Sequence, residues 1–264
     1  MKTTTISKGA NELVVLCENT TYAHMNTLRR LCMNEVPTLA IELVEFTKNS
    51  SILYDEIIAL RLGLLPLATD LGSYSLPSET EKESGDYSAK SSVKATLKAK
   101  GPCVVYAKDL NFKDPKVKPV YPDMPIVKLL EGQDVELIAT AVLGVGREHA
   151  KWSPCLAYYR QRPTITISKN ADTKAIAANL KDLSLTAISE KGGKLVIDDK
   201  QLLLTEHAGA YEDVSSDIRV SYADDAFVFV IESWGQLSPT TIINTAIERM
   251  QRKLKEFASL VKAL

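Results

Sequence analysis

The stretch NTLRRLCMNEVPTLAIELVEF (26–46) carries two adjacent arginines inside a short apolar segment and then runs into alternating residues. The first part predicts a helix over 26–34, which NEVP ends because the residue before a proline favours extended backbone. The second part belongs to TLAIELVEFTKN (38–49), whose alternation predicts a strand. NELVVLCENT (11–20) has the β-branched, apolar character of another strand. A strand, a helix and a strand are therefore expected to open the protein.

The paired arginines, Arg29 and Arg30, have two interpretations. Solvated helix surface is the commonest position of arginine. Neighbours on a helix point about 100° apart, however, so both side chains flank the apolar face that includes Leu28. The fixed fork of donors on arginine suits carboxylates or backbone carbonyls across an interface. The sequence leaves surface and interface open.

The composition is that of an ordinary globular protein. The chain has 264 residues, 45% of them hydrophobic and 25% charged, which is enough for one large domain or two smaller ones. Its 32 basic and 33 acidic residues give a net charge of -1, unlike proteins that bind nucleic acid or anionic membranes directly. Any work on DNA is therefore expected to go through partners.

The four cysteines are far apart and form no C-x-x-C pair, which disfavours a metal or redox centre; they are Cys17, Cys32, Cys103 and Cys155. The first residues lack the apolar core of a signal peptide, and no run of about 18 apolar residues is present to span a membrane. A cytoplasmic protein with reduced thiols is expected.

The middle of the chain changes character twice. Residues 50–67 predict a helix that Pro66 ends. Its apolar residues form two sets at helical spacing: Ile57, Leu60 and Leu64, and Ile58, Leu62 and Leu65. Residues 69–92 are rich in Ser, Glu, Gly and Lys and predict an exposed loop. Short alternating runs in 93–110 and 124–146, separated by Gly and Pro turns, predict an antiparallel β domain.

The region that follows predicts a small α+β unit. Strands are indicated at 163–168, 194–199 and 217–223, and a helix at 171–183. A further apolar strand, at 225–233, leads into the last helix.

The last helix has the clearest periodicity in the sequence. Ser238 is in the N-cap position and Pro239 in the first helical position. Apolar residues then form a heptad stripe, at Ile243, Ile247, Met250, Leu254, Phe257, Val261 and Leu264. The opposite face is predicted to be solvated and carries Glu248, Arg249, Arg252, Lys253, Lys255 and Glu256. The stripe fits both an amphipathic helix packed on its own sheet and a seam with a partner.

The turn at 144–154 is the one candidate for a catalytic or ligand site. Gly144 and Gly146 lack the third glycine and the helix of a nucleotide-binding fingerprint. Three side chains suit acid–base chemistry, namely Glu148, His149 and Lys151. No second cluster accompanies them, and the other histidines, His24 and His207, are isolated. Catalysis by this chain is not expected.

Five separated blocks resemble the family of the D subunits of archaeal DNA-directed RNA polymerase, which is related to the bacterial alpha subunit and to the third-largest subunit of eukaryotic RNA polymerase II. In order along the chain, the blocks are residues 26–46, 50–67, 114–129, 146–159 and 230–254. They cover most of the chain apart from 69–92 and about 168–222.

The resemblance implies an α+β fold with three parts. Residues 1–44, 156–162 and 223–264 correspond to an alpha-subunit-like dimerisation domain. Residues 45–155 correspond to an inserted antiparallel β domain, and 163–222 to a small ferredoxin-like third module.

The resemblance also implies a non-catalytic assembly subunit. Such a chain heterodimerises with a smaller alpha-like subunit, L, then receives the small subunits N and P and provides the platform for the second-largest subunit, B. The nucleotidyltransferase activity belongs to the assembled polymerase, and DNA is contacted only indirectly. The implied L interface comprises Asn26, Leu28, Arg29, Arg30, Ile243, Ile247, Met250, Leu254, Phe257 and Val261. The expected contacts with other subunits are Asp55, Glu56, Arg61, His149, Lys151 and Trp152, with Trp152 as the anchor.

The sequence departs from the family in its cofactors. Many archaeal relatives carry iron–sulfur cysteines in the third module, and eukaryotic relatives carry a zinc loop in the region matching 69–92. Neither segment contains cysteine here, so no cluster and no zinc are expected. The alternative function is a free-standing α+β enzyme or ligand-binding protein that uses the 144–154 turn.

Overall fold

The computed structural model describes residues 1–169 and 171–262. The helices are α1 (Tyr22–Asn34), α2 (Asp55–Gly63), α3 (Glu79–Ser84), α4 (Thr173–Asp182), α5 (Asp199–Leu204) and α6 (Pro239–Lys262). The strands are β1 (Lys2–Lys8), β2 (Glu12–Glu18), β3 (Pro37–Asn49), β4 (Ser92–Lys100), β5 (Cys103–Tyr106), β6 (Asn111–Phe112), β7 (Pro125–Leu129), β8 (Asp134–Val145), β9 (Cys155–Ile167), β10 (Ile188–Lys191), β11 (Lys194–Ile197) and β12 (Ile218–Ser233). No helix within the described ranges is both long enough and apolar enough to cross a membrane.

The strands form two larger sheets and two hairpin-sized ones. One four-stranded sheet has the order β1-β2-β12-β9, and the other has the order β3-β8-β4-β6. The small sheets are β5-β7 and β10-β11. Strand β8 pairs antiparallel with β3 and with β4. The predicted α+β class with antiparallel sheets is confirmed.

The chain divides into two compact units. One comprises Met1–Arg29 and Ala157–Ile231, and the other comprises Arg30–Leu156 and Glu232–Leu264. In the first unit, α4 and α5 each bury an apolar face, through Ile176 and Leu202 respectively. In the second, the β3-β8-β4 sheet buries alternate residues against α2. Removing these apolar side chains from water is the main force that holds each core together.

The first helix starts earlier than predicted. Helix α1 begins at Tyr22, four residues before Asn26, and Thr21 Oγ1 accepts a hydrogen bond of 3.4 Å from His24 N. The extra turn buries Met25, which is 1% exposed. The predicted strand, helix and strand correspond to β2, α1 and β3, with β1 preceding them, and β3 lies in a different sheet from β2.

Two further boundaries differ from the prediction. Helix α2 covers only Asp55–Gly63, although 50–67 has helical spacing throughout. The runs at 217–223 and 225–233 are one strand, β12, because Asp224 and Asp225 are tolerated where the strand is exposed. Strands β1 and β10 and helix α5 had no strong periodic signal and were not predicted.

The segment 69–92 is not all loop, because it contains helix α3. Ser78 forms a capping box with Glu81: Ser78 Oγ accepts from Glu81 N, and Ser78 N donates to Glu81 Oε2 at 2.8 Å. Ser88 N and Ser91 Oγ donate to Glu81 Oε1 at 2.9 and 3.0 Å. The sequence signal is Ser-x-x-Glu, which marks a helix start. One carboxylate therefore organises residues 78–91.

These bonds predict an acid-sensitive segment. Hydrogen bonds to its carboxylate lower the pKa of Glu81 from 4.5 to about 2; the bond from Ser78 N contributes most and hydrogen bonding by Ser88 contributes next. Because the pKa is lowered on folding, the bonds stabilise the segment above about pH 4.5 and are lost as the pH falls through about 2. NMR titration of the Glu81 carboxyl should give a midpoint near 2. Replacing Ser91 by alanine should raise it, and a wild-type midpoint near 4.5 would contradict the network.

Candidate subunit interface

Helix α6 begins as its sequence predicts. Ser238 Oγ accepts a hydrogen bond of 3.2 Å from Thr241 N, and Pro239 is the first helical residue. Ile242 and Ala246 are both 0% exposed. These two residues, four apart on one face, bury one side of the first half of the helix.

The predicted heptad stripe lies outside that core. Ile243 is partly buried, and the stripe then becomes exposed: Ile247 is 42% exposed, Met250 38%, Leu254 56%, Phe257 66% and Val261 51%. Leu260, which the prediction omitted, is 68% exposed. Leu264 lies outside the described residues. The far half of α6 therefore presents contiguous large apolar side chains, which in a soluble protein mark an interaction surface.

The face opposite the stripe is only partly solvated, contrary to the prediction. Arg249 is partly buried, and its Nε is buried without a hydrogen-bond partner in the described structure. Lys253 Nζ lies 2.7 Å from Glu35 Oε1. Arg249 and Lys253 continue the helical row of Ile242 and Ala246; Arg249 is partly buried, and Lys253 stays exposed while its ammonium group pairs with Glu35.

The paired arginines on α1 have different surroundings. Arg29 is partly buried, and its Nε and Nη2 donate to Asn26 Oδ1 at 3.1 and 2.9 Å. Arg30 is exposed, and Leu28 is partly buried. The guanidinium group of Arg29 thus has a hydrogen-bond partner on its own helix, the side chain of Asn26 one turn earlier.

The two apolar sets predicted in and around helix α2 differ in burial. Ile58 and Leu62 are buried, whereas Ile57, Leu60 and Leu64 are 43%, 57% and 56% exposed. The residues before the helix extend this apolar surface, since Ile52 is 78% and Tyr54 79% exposed.

The charged residues of α2 are exposed beside this apolar surface. Asp55 accepts from Asn49 Nδ2 at 2.7 Å, and Arg61 Nη2 donates to Pro125 O at 3.1 Å. Glu56 is exposed as well.

Trp152 cannot be the surface anchor that the sequence suggested. Its ring is buried, donates from Nε1 to Val142 O at 3.1 Å, and packs so closely on Gly144 that a Cβ there would lie 2.4 Å from a ring carbon. Thr38 Oγ1 donates to its carbonyl at 2.7 Å. Gly144 is therefore a packing glycine, and Trp152 holds the turn onto β3 and β8.

The three candidate acid–base residues of this turn diverge. Glu148 pairs with Lys82 at 2.6 Å. Lys151, whose side chain is 12% exposed, pairs with Glu42 and lies 4.6 Å from the centre of the Trp152 ring. His149 Nδ1 accepts from Lys151 N at 3.1 Å. Each side chain has a structural partner, and the trio does not converge on a reacting atom. Lys151 is thus also turned inward, which corrects its expected contact with a partner.

The cysteines are free thiols in contrasting surroundings. Cys17, Cys32 and Cys155 are buried, and Cys103 is exposed. Within residues 1–169 and 171–262, no group of three or more His, Cys, Asp or Glu is arranged to hold a metal ion.

The thiols should differ in reactivity. Burial raises the pKa of Cys32 to about 12 and raises the pKa values of Cys17 and Cys155 as well, and the thiolate is the reactive form. At pH 8 a thiol reagent such as DTNB should therefore modify only Cys103 rapidly in the native chain, and the other three after denaturation. Cys103→Ser should remove the fast phase. A second fast thiol in that variant would contradict the buried positions.

Comparison with known proteins shows which class of protein this chain belongs to. A family model described as the RNA polymerase Rpb3/RpoA insert domain matches residues 44–154. Over almost its full length the chain is similar to proteins named DNA-directed RNA polymerase subunit Rpo3. That of Methanothermobacter thermautotrophicus is 38% identical, with 94% of each chain covered. That of Pyrococcus horikoshii is 35% identical, covering 98% of this chain and 97% of the relative. That of Methanosarcina acetivorans is 35% identical, covering 93% and 92%.

The chain belongs to the Rpo3 family of DNA-directed RNA polymerase subunits. The resemblance to the archaeal D subunits is thereby confirmed, as is a role in transcription.

Proposed function

We propose that this chain is a non-catalytic assembly subunit that heterodimerises, through α1 and α6, with a smaller alpha-like subunit, L. The exposed apolar stripe on α6 is the main support for this role. Leu254, Phe257 and Val261 are each more than half exposed, on the half of α6 that follows the buried Ile242 and Ala246. Burying one such side chain contributes about 1.5–3 kcal/mol, so a partner helix would gain several of these contributions along one seam.

The L interface also includes the middle of the chain's first helix, α1. Asn26, Leu28 and Arg29 form its first part, and the exposed Arg30 offers a guanidinium to a partner carboxylate. Arginine is well suited to such pairs because its donors are pre-organised. A partly solvated pair of this kind contributes little, about 0–1 kcal/mol, so the apolar stripe supplies most of the affinity.

We assign three parts to the chain. Residues 1–44, 156–162 and 223–264 make the dimerisation domain, 45–155 the inserted β domain, and 163–222 the ferredoxin-like module. The element order β9-α4-β10-β11-α5-β12 is the βαββαβ order of ferredoxin-like folds, while β10 and β11 pair with each other in a sheet separate from that of β9 and β12.

The remaining partners are the small subunits N and P and the second-largest subunit of the polymerase. The apolar surface around α2, with Asp55, Glu56 and Arg61 beside it, is the contact that we assign to these partners, together with the exposed His149. DNA is reached only through the assembled enzyme, in keeping with the net charge of -1. The nucleotidyltransferase activity resides in other subunits, and the assembly works in the cytoplasm.

We further propose that the chain holds no iron–sulfur cluster and no zinc. Its four cysteines all precede residue 156, and neither 69–92 nor 163–222 contains one, so thiolate ligands are absent where relatives of this family carry them. Elemental analysis of the purified chain should find iron and zinc far below one atom per chain. A brown protein with stoichiometric iron would overturn this proposal.

The proposed function is tested by purification from native cells. A tagged chain should bring down a complete set of polymerase subunits in equal stoichiometry, with nucleotide addition in the same fraction. An untagged strain gives the background. A chain that purifies alone, as a self-sufficient monomer, would contradict the assignment and favour a free-standing protein.

A further inference from the structure

Glu35 is a buried carboxylate in an unfavourable place. It follows α1 directly, its N–H still donates to Leu31 O at 3.0 Å, and the residue is 9% exposed. The C-terminal end of a helix carries partial negative charge. A buried carboxylate there is costly unless cations compensate it.

Two cations converge on this carboxylate. Lys253 Nζ lies 2.7 Å and Arg147 Nη1 3.6 Å from Glu35 Oε1. The backbone of Arg147 is fixed as well, because its N–H donates to Asn34 O at 3.1 Å and a Cβ on Gly146 would lie 2.1 Å from Met33 O. Glu35 Oε2 is buried and has no hydrogen bond in the described structure. The carboxylate is therefore only partly compensated and depends on Lys253.

Lys253 is placed where α6 leaves its core. Ile242 and Ala246 hold the first half of the helix, whereas residues 251–262 are all exposed. The neighbouring pair, Arg252 with Glu256 at 3.8 Å, lies within the helix itself. The Lys253–Glu35 bond is thus a link between the exposed half of α6 and the rest of its unit.

We propose that Glu35 is a positioning residue for the interface: through Lys253, it fixes the direction in which the exposed half of α6 presents Leu254 and Phe257. This inference rests on the proposed function only for the identity of the partner. A helix that is already held in its bound direction loses less conformational freedom on association, so it binds more tightly. The sequence alone shows Glu35 next to a proline-containing turn and Lys253 on a face that looks solvated, so it does not reveal the pair.

The positioning is tested first in the isolated chain. In a Cys103→Ser background, spin labels at Lys94→Cys and Ser259→Cys report the distance between the β4 surface and the far end of α6 by pulsed electron resonance. The parent should give one narrow distance distribution. Lys253→Gln and Glu35→Gln should broaden it, and Lys253→Arg should restore it. Arg252→Gln, which removes the same charge one residue away, should match the parent.

Association with the smaller alpha-like subunit is the second readout. Lys253→Gln should weaken it about twofold to tenfold, the range expected when a flexible side chain must be ordered on binding, and Arg252→Gln should leave it unchanged. A merely structural pair would lower the unfolding temperature yet leave the native distance distribution narrow, and that result would overturn the proposal. If the parent chain does not bind the smaller subunit, the proposed function fails, while the distance distributions still decide the role of Glu35.

Discussion

Leu254→Asp is expected to weaken association with the smaller subunit by at least about a thousandfold, equivalent to roughly 4 kcal/mol. The change removes a large apolar side chain from the middle of the stripe and places a carboxylate in its position. Losing one buried leucine costs about 1.5–3 kcal/mol, and burying an unpaired charge costs several more. Leu254 is 56% exposed in the chain by itself, so the variant should still fold. Co-expression followed by size-exclusion chromatography measures the effect.

Ser259→Asp is the matched control for this substitution. It introduces the same side chain and charge on the same exposed half of α6, but about 140° around the helix from Leu254. It should bind like the unmodified chain, with circular dichroism showing that both variants are folded. Wild-type affinity in folded Leu254→Asp protein would place the stripe outside the interface.

Trp152→Ala is expected to lower the free energy of unfolding by about 3–5 kcal/mol, the range for truncating a buried aromatic residue. The ring fills the space beside Gly144, donates to Val142 O and lies under Lys151. Its removal leaves a cavity between the 144–154 turn and strand β8. Denaturant unfolding of the purified chain measures the loss.

Two further substitutions in the 144–154 turn distinguish a packing role from a catalytic role. Trp152→Phe keeps most of the ring but loses the hydrogen bond to Val142 O, so it should cost about 1–2 kcal/mol. His149→Ala should stay within about 1 kcal/mol of the wild type, because the imidazole is exposed, accepts one hydrogen bond from the backbone of Lys151 and meets the Trp152 ring edge-on at 6.4 Å between centroids. Polymerase assembled with His149→Ala should add nucleotides at the normal rate. Loss of turnover with intact assembly would revive the catalytic alternative.

The last helix shows what a heptad pattern does and does not predict. Its N-cap at Ser238 and its length follow from local chemistry, which the sequence contains in full. The pattern does not say which apolar row faces the core. The buried row is Ile242 and Ala246, one residue before Ile243 and Ile247, because the chain before the helix sets its rotation. Arg249 lies on that buried row and was for this reason wrongly assigned to solvent.

The surroundings of Trp152 depend on residues distant in sequence. A tryptophan in a Gly-rich turn is consistent both with a surface anchor and with a core residue, since its ring is large and has one polar atom. The ring takes a core position because Gly144 has no side chain and leaves space for it, and because Val142 O accepts the hydrogen bond from Nε1. Thr38 adds a bond from a strand that is 114 residues away in sequence. No local pattern reports such contacts.

The loop prediction for residues 69–92 was partly wrong, for a different reason. The capping signal at Ser78 and Glu81 was present in the sequence, but the polar composition around it outweighed a six-residue helix without a buried face. A short helix of this kind is stabilised by its cap and by Glu81, not by burial. Composition therefore predicted the exposure of α3 correctly and its backbone wrongly, and it missed that Leu71, Tyr74 and Leu76 pack against the core.

If the chain is one half of a heterodimer, the complex in solution has the mass of one copy of each chain. The unmodified chain, of 29.0 kDa, is co-expressed with the smaller alpha-like subunit and analysed by size-exclusion chromatography with light scattering. A single species whose mass equals one copy of each chain is predicted, and it should persist on dilution to nanomolar concentration. A 29.0 kDa monomer eluting apart from the smaller subunit would contradict the account.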